Sequence, residues 1–289
     1  MIKNNSALKY QMIMFLCAIF WSLGGLLIKL IPWNSFIIAS GRSIIAAAIL
    51  FAYMKITKKQ VTLNKFSLLL GITMAAKFIL FVSSNKLTTA ANAIILQNTN
   101  PIFIVLLSAI IYKQHFSKRE IFVVTTCSVG IILFFFDNIS FEGMWGNIIA
   151  LISGLLTAIM FILSSRAKTS DISISGILLG HIITAVIGLP FILTSKIEVS
   201  PIPILAILAL GIFQMGIPYI LYSIAIRGCR ALDCSLIGMV EPILNPVWVF
   251  LIIGEVPSKL AFIGGAIVIA TVTYWCALSA KLADKAKIS

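Results

Sequence analysis

The sequence predicts an all-α polytopic membrane protein of ten transmembrane helices, arranged as two inverted five-helix repeats. Three observations carry this. Hydrophobic residues make up 60% of the 289 residues and charged residues 11%, whereas soluble domains sit near 45–50% apolar and about 25% charged. The apolar residues fall into ten runs near the ~20 residues that a bilayer core requires. The halves of the chain also match one another in order.

The runs are 11–30, 35–54, 66–84, 90–112, 119–136, 144–165, 173–194, 202–223, 232–254 and 260–280. The first follows Lys3 and Lys9 but lacks a small-x-small cleavage site, so it reads as an uncleaved span and not as a signal peptide. Spans three and four are divided only by Asn85-Lys86, and spans eight and nine only by Arg227-Gly228, which leaves eight or nine spans as an alternative.

Charge placement supports ten. With the N-terminus inside, 16 of the 22 Lys and Arg fall on the cytoplasmic side, four (Lys29, Lys86, Lys196, Lys259) outside, and two, Arg42 and Lys77, within spans. This follows the positive-inside rule, and one missed span would mix the sides. The expected location is the cytoplasmic (inner) membrane, with both termini cytoplasmic. The net charge of +13 does not point to nucleic acid, because the basic residues are scattered in short gaps and form no phosphate-binding face. Cys17, Cys127, Cys229, Cys234 and Cys276 form no CxxC or Cys/His metal spacing and read as free thiols. No cofactor or metal is expected.

The repeat is read from 90–118 (AANAIILQNTNPIFIVLLSAIIYKQHFSK) against 231–259 (ALDCSLIGMVEPILNPVWVFLIIGEVPSK). Pro101 meets Pro242, Asn100 meets Glu241, and Lys86 meets Arg227, all at an offset of 141; Arg42 meets His181 at 139 and Lys29 meets Arg166 at 137. The expected division is 1–140 and 141–289. Five spans per half is odd, so the second copy enters the membrane from the opposite side, as in many alternating-access carriers.

Charges within spans cost at least ~2.5–3.5 kcal/mol on insertion scales and mark pathways or partners. Lys77 lies about seven residues from the outer end of its span, roughly 10 Å at helical rise. It either snorkels, sits as a neutral amine, or faces a central pathway with Phe81 and Ser84 on the same helix face. Glu241 continues through Asn245 and Trp248 at i+4 and i+7, and the twin helix offers Gln97 and Asn100; these form a cavity wall or interhelical bonds. Pro101 and Pro242 free the carbonyls of Gln97 and Gly238. Pro218, equivalent in position to Lys77, has Gln214, Tyr219 and Tyr222 nearby. Trp21 is a cavity or a packing residue. Arg42 is expected in packing or gate support, and His181 as a hydrogen-bonded core residue in preference to a proton relay. Gly176 and Gly180 form a weak GxxxG contact motif.

These residues suggest one cavity in which Lys77 and Glu241 pair when empty and hold a zwitterion's carboxylate and ammonium when filled. Glu241, the one acid away from the ends of a span, is the proton-coupling candidate. No GxxxxGK[ST] run supports ATP drive, and no HExxH, acid pair or Ser/His set supports an intramembrane enzyme.

The chain resembles the drug/metabolite transporter superfamily in its EamA-like ten-helix branch. The resemblance rests on FWSLGGLLIK (20–29), GRSIIAAA (41–48), the paired segments from 90 to 101, and GEVPSKLAFIGG (254–265). Family members often carry a Glu after the fourth span, as Glu255 stands after the ninth; here Gln114 occupies that place, between Lys113 and His115. The resemblance implies secondary active transport of small polar metabolites, amino acids or related compounds, by alternating access, with efflux expected. A lipid or lipid-linked-sugar flippase, or a metabolite importer, is the alternative. Partners are a small-molecule substrate and the bilayer, with proton coupling and a monomer as the working expectations.

Overall fold

The computed structural model describes residues 5–136, 143–197, 200–253 and 258–285. The side chains of some helical residues, Asn245 among them, lie outside this description, as does all of Glu255.

Among the described residues ten helical spans follow in order. They are α1 (Ala7–Lys29), α2 (Ser35–Ile56), α3 (Lys65–Leu87), α4 (Asn92–Tyr112), α5 (Lys118–Phe134), α6 (Met144–Arg166), α7 (Ser170–Thr194), α8 (Pro201–Ala225), α9 (Ala231–Gly238 and Glu241–Ile253) and α10 (Lys259–Lys285). Eight of them are long and apolar enough to cross a membrane; α5 has 17 residues and α9 is in two pieces. The weakly punctuated boundaries are real. Thr88 is extended and ends α3, while Thr89 caps the next helix through the Asn92 N–H at 3.1 Å. Arg230 is likewise extended and separates α8 from α9.

Local chemistry sets several starts. Asn64 and Ser67 form a reciprocal capping box at α3, as do Ser117 and Glu120 at α5, satisfying amides that a helix start leaves orphaned. Large apolar side chains such as Phe122, Ile110, Leu251 and Phe262 remain exposed. A water-soluble surface rarely carries so much contiguous apolar area, whereas lipid solvates it.

Packing follows an exchange of halves. α3 packs on α6 and α7, and α8 packs on α1 and α2; α2 meets α7, and α5 meets α10. Swapping span n with span n+5 leaves this pattern unchanged, as a pseudo-two-fold would. Gly176 and Gly180 permit the α3–α7 contact. A Cβ on either would lie 2.6 Å from a side-chain atom of Leu70 or Met74, closer than packed carbons approach.

The repeat extends to individual hydrogen bonds. Lys86 Nζ donates to the Ile31 carbonyl at 2.7 Å, closing the α1–α2 turn onto the end of α3. Its counterpart Arg227 donates through Nη1 to the Ala167 carbonyl at 2.8 Å, closing the α6–α7 turn onto the end of α8. Both α4 and α9 break at matching places. Thr99 N–H bonds Leu96 and Ile102 N–H bonds Thr99; Val240 N–H bonds Ile237 and Ile243 N–H bonds Val240. These i→i−3 turns lead up to and enclose Pro101 and Pro242, which occupy the first turn of the resumed helix, where a missing N–H is harmless.

Candidate functional site

The two helix breaks open onto one cavity between the halves. Its walls come from α1, α2, α3, α4, α6, α8 and α9, and its free volume is about 40 Å³, room for a few waters at the ~10–15 Å³ each occupies.

Lys77, at the middle of α3, points into this cavity. Its Nζ donates to the Tyr219 hydroxyl at 3.0 Å and approaches the Met160 sulfur at 3.9 Å. It also lies 5.5 to 5.8 Å from the ring centroids of Trp21, Tyr219 and Phe78, within the range in which an ammonium is attracted to an aromatic face. Snorkelling therefore does not describe Lys77, which is only 9% exposed.

Arg42 is completely buried in α2. Its Nη1 donates to Gln214 Oε1 at 3.2 Å and its Nη2 to the Phe78 carbonyl at 3.2 Å. Gln214 lies in a π-helical stretch of α8, Leu210–Gly216, just before Pro218. Such wide turns recur at functional sites because they swing side chains and carbonyls out of helical register. Arg42, expected in packing or gate support, lines the cavity wall beside Lys77.

Glu241 begins the second piece of α9 and also lines the cavity. Its repeat partner Asn100 begins the resumed part of α4, where Nδ2 donates to the freed Gln97 carbonyl at 3.1 Å and Oδ1 accepts from the Ser235 hydroxyl. Gln97 reaches α6 by donating to Ser153 Oγ at 3.0 Å. Gly154 allows the approach: a Cβ there would lie 2.8 Å from the Leu96 carbonyl and 3.0 Å from that of Gln97.

The structure thus gathers Trp21, Lys77, Phe81, Gln97, Asn100, Gln214, Tyr219 and Glu241 around one space. Others lie elsewhere. Trp248 does not line the cavity; its Nε1 donates to Ser22 at 2.7 Å, at the point where α1 is interrupted. The Asn245 side chain falls outside the described residues. Pro101 and Pro242 are buried and act through the backbone. His181 stands behind the wall, stacked on Phe78 at 4.6 Å, and neither ring nitrogen has a hydrogen-bond partner among the described residues, unlike the bonded core residue expected. The stacking explains its tolerance: the ring is packed as an aromatic.

The expected direct pairing of Lys77 with Glu241 is not formed; no ion pair joins them among the described residues. The Tyr219 hydroxyl and the three rings take the ammonium instead. Sequence reasoning also missed Asn98, Thr157 and Ser235 on the wall. Small hydroxyls are common helix-helix glue, so Thr157 and Ser235 carried no signal; Asn98, lying between Gln97 and Asn100, did.

A polar, aromatic-lined space at mid-membrane, bounded by broken helices from two repeats, is a carrier's architecture. Comparison with known proteins decides which. The EamA-like transporter family matches twice, over residues 8–136 and 144–274. The chain belongs to the EamA-like transporter family. It is a multi-pass membrane transporter with two EamA repeats, and the family is not one of enzymes. Among its relatives is the uncharacterized transporter YdfC of Bacillus subtilis (strain 168), 27% identical over 200 residues, covering 68% of this chain and 65% of YdfC. An uncharacterized transporter of Archaeoglobus fulgidus is 24% identical over 195 residues, covering 65% of this chain and 67% of that protein. The matches therefore span about two thirds of these relatives' lengths. A solved crystal structure shares the EamA fold seen here with a TM-score of 0.79 at 18% identity, over 95% of this chain and 98% of its own.

Proposed function

We propose that this EamA-family protein is a secondary carrier of small zwitterionic metabolites, amino acids or related compounds, working by alternating access of one central site. The observation that carries this reading is the shared cavity lined by Arg42 and Lys77 from one half of the chain and Glu241 from the other. A carboxylate suits the cationic pole, where guanidinium and ammonium donors converge. A protonated amine suits Glu241. The aromatic faces of Trp21, Phe78 and Tyr219 add a surface for an apolar or cationic part of the cargo.

The free volume of about 40 Å³ is too small for such a cargo, so the site widens when occupied. The helix breaks at 98–99 and 239–240 and the π-helical stretch of α8 are natural places for that movement. In this reading residues 1–140 and 141–289 are the two inverted arms, and the positive-inside bias supports cytoplasmic termini in an inner membrane. Efflux fits a chamber that opens on the cytoplasmic face, lined by Arg166 and Arg227. Glu241 is the proposed proton-coupling residue.

The test is a screen of metabolite release and uptake by cells with and without the gene, followed by reconstitution with each hit. Release of a zwitterion that depends on the protein supports the reading. Lipid scrambling in reconstituted vesicles, with no metabolite flux, replaces it with the flippase alternative.

A further inference from the structure

A second chamber, about 440 Å³, lies between α4, α6, α8 and the start of α9. It shares helices with the central site and sits one turn further along them. Ile104 follows the cavity residue Asn100 in α4, Ser165 follows Phe161 in α6, and Leu232 precedes Ser235 in α9. Spacings of three and four place these on the same helix faces. The chamber is therefore the approach to the cavity from the face where α1 begins and α10 ends.

Its wall is cationic. Arg166, Arg227 and Arg230 line it, and none of the described lining residues is acidic. The three arginines are not equivalent. Arg230 is neutralised, with Nη1 2.8 Å from Glu120 and Nη2 3.1 Å from Asp233. Burial alone would lower its pKa, but the bonds to Asp233 and Glu120 outweigh that and raise it. Arg227 uses Nη1 on the Ala167 carbonyl. Arg166 meets no carboxylate among the described residues; its guanidinium carbon lies over the Tyr112 ring, 3.5 Å from the centroid. Stacking holds the plane and leaves the edge donors for a ligand, the arrangement that suits planar or tetrahedral oxyanions. Gln114, Ser108 and Ser165 add polar groups to the same wall.

We propose that this chamber is a recognition site for an anionic group, a carboxylate or a phosphate, which the cargo meets before it reaches Lys77 and Arg42. The proposal rests on the carrier reading for its role, but not for its detection. On the opposite face the repeat counterparts, Lys29 and Lys86, each donate to a backbone carbonyl, those of Asn85 and Ile31. The wall of three arginines gathers at one face, which in the carrier reading is the side from which cargo enters.

Cys229 offers a native reporter, because it lines the chamber and is half-buried. Cys17, Cys127 and Cys234 are buried, and Cys276 is removed by Cys276→Ser. The full-length protein in nanodiscs is treated with thiosulfonates carrying a sulfonate or a trimethylammonium group. The anionic reagent is expected to modify Cys229 roughly fivefold faster at low salt, relative to each reagent's rate on a free thiol, on the scale of one screened unit charge. Arg166→Gln lowers the preference and Arg166→Lys keeps it. Should Arg166→Gln fail to fold, the wild-type chain still decides: the preference must shrink as salt is raised.

Alkylation by a neutral maleimide is then measured with inorganic phosphate, acetate or chloride at matched ionic strength. Slowing by phosphate alone assigns a phosphate group, and slowing by acetate alone assigns a carboxylate. Equal rates in all three salts, or a faster cationic reagent, overturn the proposal. None of these readouts measures transport, so their failure leaves the central site standing, and the loss of transport in Lys77 variants leaves the chamber standing.

Discussion

Lys77 Nζ and the Tyr219 hydroxyl meet at 3.0 Å across the two halves, 142 positions apart in sequence. That separation is one residue from the offset of 141 linking Lys86 to Arg227. The central hydrogen bond therefore joins nearly equivalent places on α3 and α8. Tyr219→Phe keeps the ring and removes the bond. A bond to a charged group contributes ~1.5–3 kcal/mol, so the variant is expected to lower thermal stability in detergent by that order. An unchanged melting temperature would show that the ammonium has found another acceptor.

Gln214 holds Arg42 at 3.2 Å inside the membrane. Gln214→Leu leaves one guanidinium edge without its acceptor, at a cost of ~1–3 kcal/mol for an unsatisfied buried donor. Arg42→Met removes the donor group as well and is expected to cost less stability than Gln214→Leu while weakening cargo binding more. Unfolding curves and transport measured side by side separate the two; identical rankings in both would mean that Arg42 serves packing alone.

The α3–α7 contact depends on the absence of side chains. Gly180→Val places carbons against Met74, and overpacking of this kind costs ~1–3 kcal/mol. Gly180→Val is predicted to unfold at lower temperature than the wild type, with Met74→Gly in the same chain restoring part of the loss, because the close contact is with the Met74 Cβ. No rescue by the second substitution would place the strain elsewhere.

Inversion of the halves has a direct consequence for the α2–α3 and α7–α8 turns, which hold Lys58 and Lys196. Cysteines placed there in a thiol-free background are expected to react with a membrane-impermeant reagent from opposite sides: Lys58→Cys from the cytoplasm and Lys196→Cys from outside. Labelling of both from one side would mean that the halves run in the same sense.

The ten spans were readable because lipid demands an unbroken apolar run in each, and the charged residues between them report the side. The helix breaks were readable in Pro101 and Pro242, since a ring that removes an amide must be accommodated somewhere along the helix. Lys77 and Glu241 stood out because a charge in an apolar run needs a reason. The partners of those charges were harder. Tyr219 takes the ammonium that Glu241 was expected to take, and nothing in the local pattern distinguishes a tyrosine that accepts a bond from one that packs. Trp248 shares a helical face with Glu241 by spacing, yet the interruption of α1 at Ser22 offers its indole a nearer acceptor. The π-helical stretch of α8 has no side-chain signature, so the reach of Gln214 towards Arg42 depends on tertiary structure. The polarity of His181 points to a hydrogen-bonded residue, whereas its stacking on Phe78 depends on where α7 crosses α3.

The central claim is that oppositely charged groups in one cavity, Lys77 and Glu241, hold the cargo. It is tested most directly by exchange of a radiolabelled zwitterion, identified in the release screen, across proteoliposomes containing wild type, Lys77→Met or Glu241→Gln. Each substitution is predicted to lower exchange at least about tenfold, the effect of losing ~1.4 kcal/mol of binding, with folding shown intact by gel filtration. Exchange at the wild-type rate in both variants would contradict it.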